Sequence, residues 1–287
     1  MRIRLSAITC CVLLFASTAV VSAQEAAPKE TEQRNWTPDI LASVDAFRVY
    51  ADDRELEPLQ VVQAYQWANP ARPKVRGERL CLLYIHQGRP VASRKIYPTG
   101  RSMVHAFISM TDQPIICRAV PDEDADKSER GNVVWSPSPA GVEFKPVSEA
   151  QPPRTTASTR RIQMKSIARE FTAETSQVEV DRQKATPMLR LLPTPLYRYE
   201  IEDDGKDGLV DGATFCFVVG GGNPQAMLLI EAVREKGKLR WQYGFSRRTD
   251  AKLKAFHRGL EVWQTTHVPR GQMISNSPFF KTTSPVQ

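Results

Sequence analysis

The sequence predicts a β-rich α+β fold: two related antiparallel β units with one amphipathic helix between them. Three observations carry that expectation. Short apolar runs follow one another between Gly and Pro turns. One long stretch has helical periodicity. A set of landmark residues occurs twice in the same order.

Residues 1–23 stand apart from the rest. Arg2 and Arg4 precede an apolar run, and Val21-Ser22-Ala23 supplies the small residues that signal peptidase requires. They read as a secretory signal cleaved near Ala23. An uncleaved anchor is the alternative, since the run is about long enough to span a bilayer. Residues 24–36 are polar, acidic and Pro-containing, which predicts a disordered leader.

The first β-rich unit is expected over 37–148. It opens with a short helix at "PDILASVDAF" and an extended "FRVY". Strands are expected at "PLQVVQAYQW", "RLCLLYI", "VASRKIY" and "MVHAFISM". After a charged loop from Pro121 to Gly131, "NVVW" and "GVEFKPV" read as short strands.

Residues 149–186 hold a Pro/Thr-rich linker and then the helix. In "TRRIQMKSIAREFTAET", Met164, Ile167, Ala168 and Phe171 fall at i, i+3, i+4 and i+7, a single apolar stripe. Arg161, Lys165 and Arg169 line another face, either as a solvated row or as a surface for anionic partners.

The second β-rich unit is expected over 187–268. "LRLLPTPLYRYE" reads as extended, "DGATFCFVVGGGNPQAMLLIEA" as a hairpin, "LRWQYGFSRR" as a strand, "DAKLKAFHR" as a short helix and "LEVW" as a strand. Residues 269–287 read as a loose tail.

The repeat runs through both units. Gly77, Cys81, Pro90 and Ala92 in "GERLCLLYIHQGRPVA" match Gly212, Cys216, Pro224 and Ala226 in "GATFCFVVGGGNPQA", with one residue deleted at the turn. "FISMTD" from Phe107 matches "FSRRTD" from Phe245. "RGNVVW", ending at Trp135, matches "RGLEVW", ending at Trp263. Chance alignment or a true duplication both fit these matches. A duplication requires Phe107 and Phe245 to hold corresponding places in their sheets.

The chain of 287 residues is 41% hydrophobic and 25% charged, an ordinary globular balance, with a net charge of +7. Loss of the signal removes two of those charges. Mild basicity favours acidic partners, such as an anionic polysaccharide or an envelope surface, and export makes nucleic acid the least suitable. Cys10 and Cys11 leave with the signal, so the mature chain keeps Cys81, Cys117 and Cys216. Buried thiols are expected for residues inside apolar runs, and a Cys81–Cys117 or Cys81–Cys216 bridge stays open.

No chemical motif is complete. The glycines of "VVGGGNP" lack both GxGxxG and GxxxxGK[ST], which favours a hairpin turn over a phosphate cradle. "EDDGKDGLVDG" spaces Asp203, Asp207 and Asp211 like a calcium loop but falls short of its oxygen ligands. His86, His105, His257 and His267 include no i, i+4 pair and no HExxH, and there is no GxSxG elbow. Trp36, Trp67, Trp135, Trp241 and Trp263 could stack on sugars, or simply pack. The expectation is therefore no metal, no cofactor and no assignable catalytic residue.

The segments "LLPTPLYRYE", "DGATFCFVV", "NPQAMLLIEA" and "QMKSIAREFTAE" resemble a set of exported proteins of planctomycete-type bacteria without an assigned activity. The resemblance covers most of the mature chain and implies export. It implies no activity, cofactor or catalytic residue. "GGGNP" departs from the "GTDP" of that set, so the turn tolerates change. The function expected is a non-enzymatic binding or envelope-associated module, with a hydrolase assembled only in three dimensions as the alternative.

Overall fold

The computed structural model describes residues 38–285 apart from 53, 55–56, 68–78, 100–101, 121–130, 139, 177, 181–182, 186 and 202–206. The signal and leader expectations, Trp36, Gly77, Asp203 and most of the charged loop after Pro121 lie outside them. The first half contains α1 (Pro38–Asp45), β1 (Phe47–Tyr50), β2 (Gln60–Trp67), β3 (Arg79–His86), β4 (Arg89–Thr99), β5 (Ser102–Ser109), β6 (Ile116–Ala119), β7 (Val133–Trp135) and β8 (Lys145–Pro146). The second contains α2 (Ala157–Arg169), β9 (Phe171–Thr175), β10 (Val178–Val180), β11 (Gln183–Ala185), β12 (Met188–Leu191), β13 (Tyr197–Glu200), β14 (Gly208–Val219), β15 (Asn223–Glu235), β16 (Lys238–Arg247), β17 (Leu253–His257), β18 (Leu260–Thr265) and β19 (Phe279–Pro285). The fold is β-rich α+β, as expected, and its described strand pairs are antiparallel.

The strands form two large sheets. One runs β19-β5-β4-β3-β2, with β1-β6-β7 as a separate small sheet. The other runs β18-β17-β9-β12-β14-β15-β16-β8, with β13 also beside β14. Alternation decides what each face meets. Cys81, Leu83 and Ile85 of β3 share a core with Met227 and Leu229 of β15, so the two sheets face each other there. The opposite face of β14 and β15 packs Phe215, Phe217, Leu228 and Ile230 against Met164, Ile167 and Ala168 of α2. The opposite face of β3 and β4 meets Ile40 of α1, through Leu80, Leu82 and Ile96. Central strands covered on both faces explain why their sequences are near-continuous apolar runs.

The landmarks that recur in the sequence stand at corresponding places. Phe107 pairs with Arg94, two residues after Ala92, and Phe245 pairs with Leu228, two residues after Ala226. Phe107 stacks on Trp135 with centroids 5.5 Å apart, and Phe245 stacks on Trp263 at 5.2 Å. Each trio is completed edge-on by the first strand residue after a helix, Phe47 at 5.4 Å and Phe171 at 5.7 Å. The Thr-Asp landmarks make the same turn: Gln113 N donates to Thr111 Oγ1 and Ala251 N to Thr249 Oγ1. Both hairpins bulge at the residue between Pro and Ala, Val91 and Gln225. The cysteines are the exception. Cys81 pairs three residues beyond Ala92, Cys216 one beyond Ala226, a two-residue slip that keeps both on the same face.

The tails are exchanged between the halves. β8, which follows the first half, pairs with β16 at the edge of the second sheet. β19, which follows the second half, pairs with β5 at the edge of the first.

Three expectations are corrected. The helix ends at Arg169, and Phe171 begins β9. Phe171 fits the helical stripe by spacing, yet it is buried by Tyr243, Phe245 and His257 as a strand residue. "DAKLKAFHR" is strand β17, because β9 and β18 hydrogen-bond it on both sides. The tail is not loose: β19 buries Phe279 and pairs along all of β5. The Glu149–Ser158 run is mostly irregular, but it is pinned where Trp241 Nε1 donates to Gln151 O at 3.0 Å. Among the described residues no helix is long and apolar enough to cross a membrane.

Candidate functional site

The glycine cluster is a hairpin turn. Val219 pairs with Asn223 across Gly220-Gly221-Gly222, and β15 continues as a strand where a phosphate loop would need a helix. Gly222 has φ +98°, and a Cβ there would lie 2.7 Å from Tyr65 Oη. The β3–β4 hairpin turns on Gln87 and Gly88, both at positive φ, the geometry of a two-residue hairpin loop.

That first hairpin borders a cleft of about 590 Å³. The loop after β1 supplies Asp52, and the hairpin supplies His86 and Arg89. The β5–β6 connection adds Gln113 and Ile115, and the second half closes the wall with Ile201 and Leu209. The cleft is a mixed environment: Asp52, His86 and Arg89 line it together with aliphatic side chains.

Arg89 is the fixed point of that wall. Its Nε donates to Glu231 Oε1 at 2.8 Å and its Nη2 to Oε2 at 3.1 Å. Glu231 is fully buried and also accepts from Tyr199 Oη at 2.7 Å and Gln242 Nε2 at 2.8 Å. Burial, and then the adjacent Glu231 carboxylate, hold the Tyr199 phenol well above its usual range, so it stays a donor. Gly212 makes room for this: a Cβ there would fall on the Tyr199 ring. The Nε–Nη2 edge of the guanidinium is committed, and among the described residues Nη1 has no hydrogen-bond partner. A bidentate pair fixes the plane of Arg89 before any ligand arrives.

The other residues that the sequence singles out are scattered. His86 lies in the cleft wall. His105 is buried, with Nε2 2.9 Å from Ser284 Oγ, and its Nδ1 has no partner, so no carboxylate orients the ring. Burial, then Arg94, pushes it down to about 3, so the ring is neutral and a poor base. His257 lies 3.0 Å from Glu170, which Arg258 also engages, an ion-pair cluster without a Ser or Cys nucleophile. His267 borders a second hollow.

Cys81, Cys117 and Cys216 are buried free thiols. Burial pushes Cys117 and Cys216 up to about 12 and raises Cys81 as well, the opposite of what a nucleophile needs. Arg248 donates to Cys81 Sγ at 3.1 Å and to Ser93 Oγ. Asp211 is buried against Arg160 at 2.8 Å and Arg198 at 2.9 Å, and Asp207 accepts the amides of Lys236 and Gly237. Both aspartates therefore have structural roles unrelated to calcium. Among the described residues no group of His, Cys, Asp and Glu is arranged to hold a metal.

Among the described residues the tryptophans do not form a sugar platform: Trp67, Trp135 and Trp241 are buried, and Trp263 covers Phe245. On α2, Arg161 and Arg169 are exposed and Lys165 is half-buried, none of them in an ion pair among the described residues. Sequence reasoning missed Arg89, Glu231 and Tyr199. The available signal was Glu231 itself, a carboxylate inside the apolar run "AMLLIEAV".

Comparison with family models, curated proteins and solved structures returns no match to this chain.

Proposed function

We propose that this is an exported, internally duplicated binding protein of the envelope, and that its cleft takes a small ligand bearing an anionic group. The observation that carries the reading is Arg89, locked to buried Glu231 with Nη1 uncommitted among the described residues, in a cleft also lined by Ile115, Ile201 and Leu209. A preorganised arginine recognises a carboxylate or phosphate with little further ordering cost. The apolar wall accepts the body of the same ligand. The basic start and Ala23 exit of the N-terminal segment support export, and the matched aromatic trios and hydroxyl turns support duplication.

The test is a thermal-shift and calorimetric screen of the mature chain against small aliphatic and aromatic acids and their phosphates. A binder is expected, and Leu209→Glu is expected to weaken it at least tenfold by setting a like charge in the wall. Arg89→Lys, which keeps a cation for Glu231, is expected to weaken it through lost planarity. Binding unaffected by both variants, or turnover of a ligand, would sink the proposal.

A further inference from the structure

We infer that the second half carries its own ligand site, a hollow at the end of β18 that takes a hydroxyl-rich ligand of the saccharide class. The hollow encloses about 620 Å³, and Ser176, Asp250, Lys252, Gln264, Thr266 and His267 give it polar walls. It stands where the duplication proposed above would place it. Ser176 lies five positions after Phe171, as Asp52 of the cleft lies five after Phe47. Ala251, also in the wall, follows the second Thr-Asp pair as Gln113 of the cleft follows the first. Each half therefore builds a hollow from the loop after its first strand and the loop after its three-stranded meander. The other walls have diverged: His86, Arg89 and aliphatic side chains in the cleft, hydroxyl, amide and imidazole groups here.

The walls are held before a ligand binds. Arg247 donates from Nε to Thr249 O at 2.8 Å, and from Nη2 to Ala251 O at 2.9 Å and Thr266 O at 3.1 Å. One side chain thus joins both sides of the hollow. Ser109, at the matching place of the first half, donates to Thr111 O at 3.1 Å in the same way. Gln264 and Thr266, which flank Thr265 in this wall, are exposed. The Asp250 carboxylate is already neutralised by Lys281 at 2.9 Å, so the wall does not call for a cation. Neighbouring hydroxyl, amide and imidazole groups that both donate and accept match vicinal hydroxyls.

The test is titration of the mature protein with cellotetraose, maltotetraose, mannotetraose and chitotetraose, followed by backbone amide shifts. At least one is expected to bind, with shifts centred on residues 250–252 and 264–267. Thr266→Val and Gln264→Ala should each weaken it about tenfold or more. Leu209→Glu, in the other cleft, should leave it unchanged, which separates this site from the anionic one. No shift with any of the four sugars would overturn the inference. So would shifts confined to the first cleft, or full affinity in Gln264→Ala.

Discussion

His105 shows how position changes a side chain's chemistry. It sits between Phe47, with ring centroids 4.7 Å apart, and Arg94, fully buried. Its folded pKa of about 3 lies below the ordinary value near 6.5. Between those limits the unfolded chain holds a proton that the folded chain does not. The neutral ring's contribution is therefore complete above pH 6.5 and is lost as pH falls toward 3. His105→Phe should remove that dependence. The difference in urea midpoint between variant and wild type should move in the variant's favour from about pH 7 to about pH 4.5, and a constant difference would refute this. Sequence could not foresee it: alternation placed His105 in a strand, but not which face it took or that an arginine lay beside it.

Among the elements, the central hairpins were legible and the margins were not. The runs around Cys81 and Cys216 are long, apolar and bounded by turn residues, so local pattern and tertiary burial agree. β17 and β19 were missed for the same reason. Their residues become strands by completing the hydrogen bonds of an edge supplied from far away in sequence. β19 covers β5 over seven residue pairs, from Phe279↔Ile108 to Pro285↔Ser102. If that edge is integral, Phe279→Ala should cost about 3–4 kcal/mol, the usual range for a buried Phe. Chemical denaturation measures it, and a cost under about 1 kcal/mol would make the strand peripheral.

For the molecule as a whole, the two halves set different residues opposite Phe107 and Phe245. Arg94 corresponds to Leu228. The arginine is fully buried, donates to Val44 O at 2.6 Å, and lies over the rings of Phe47, Tyr84 and Phe107, with Nε and Nη1 lacking a hydrogen-bond partner among the described residues. Replacing a buried charge of this kind with an apolar side chain is commonly neutral or stabilising. Arg94→Leu, borrowing the residue of the other half, should therefore match or exceed the wild-type unfolding midpoint. A loss above about 2 kcal/mol would argue that the halves are not interchangeable there.

The fold class, the hairpins, the buried thiols and the recurring landmarks were written in periodicity, turn residues and rare-residue order, which are local properties of a chain. The meeting of Arg89 with Glu231, 142 positions apart, was not. Nor was the exchange of β8 and β19 between sheets, or the pinning of both walls of the second hollow by Arg247. Those depend on which strands lie side by side and which faces close together, and pairing across such distances leaves no periodic trace in one sequence. The glycine cluster shows both sides of this. Its missing fingerprint already favoured a turn, and the β14–β15 pairing made it one.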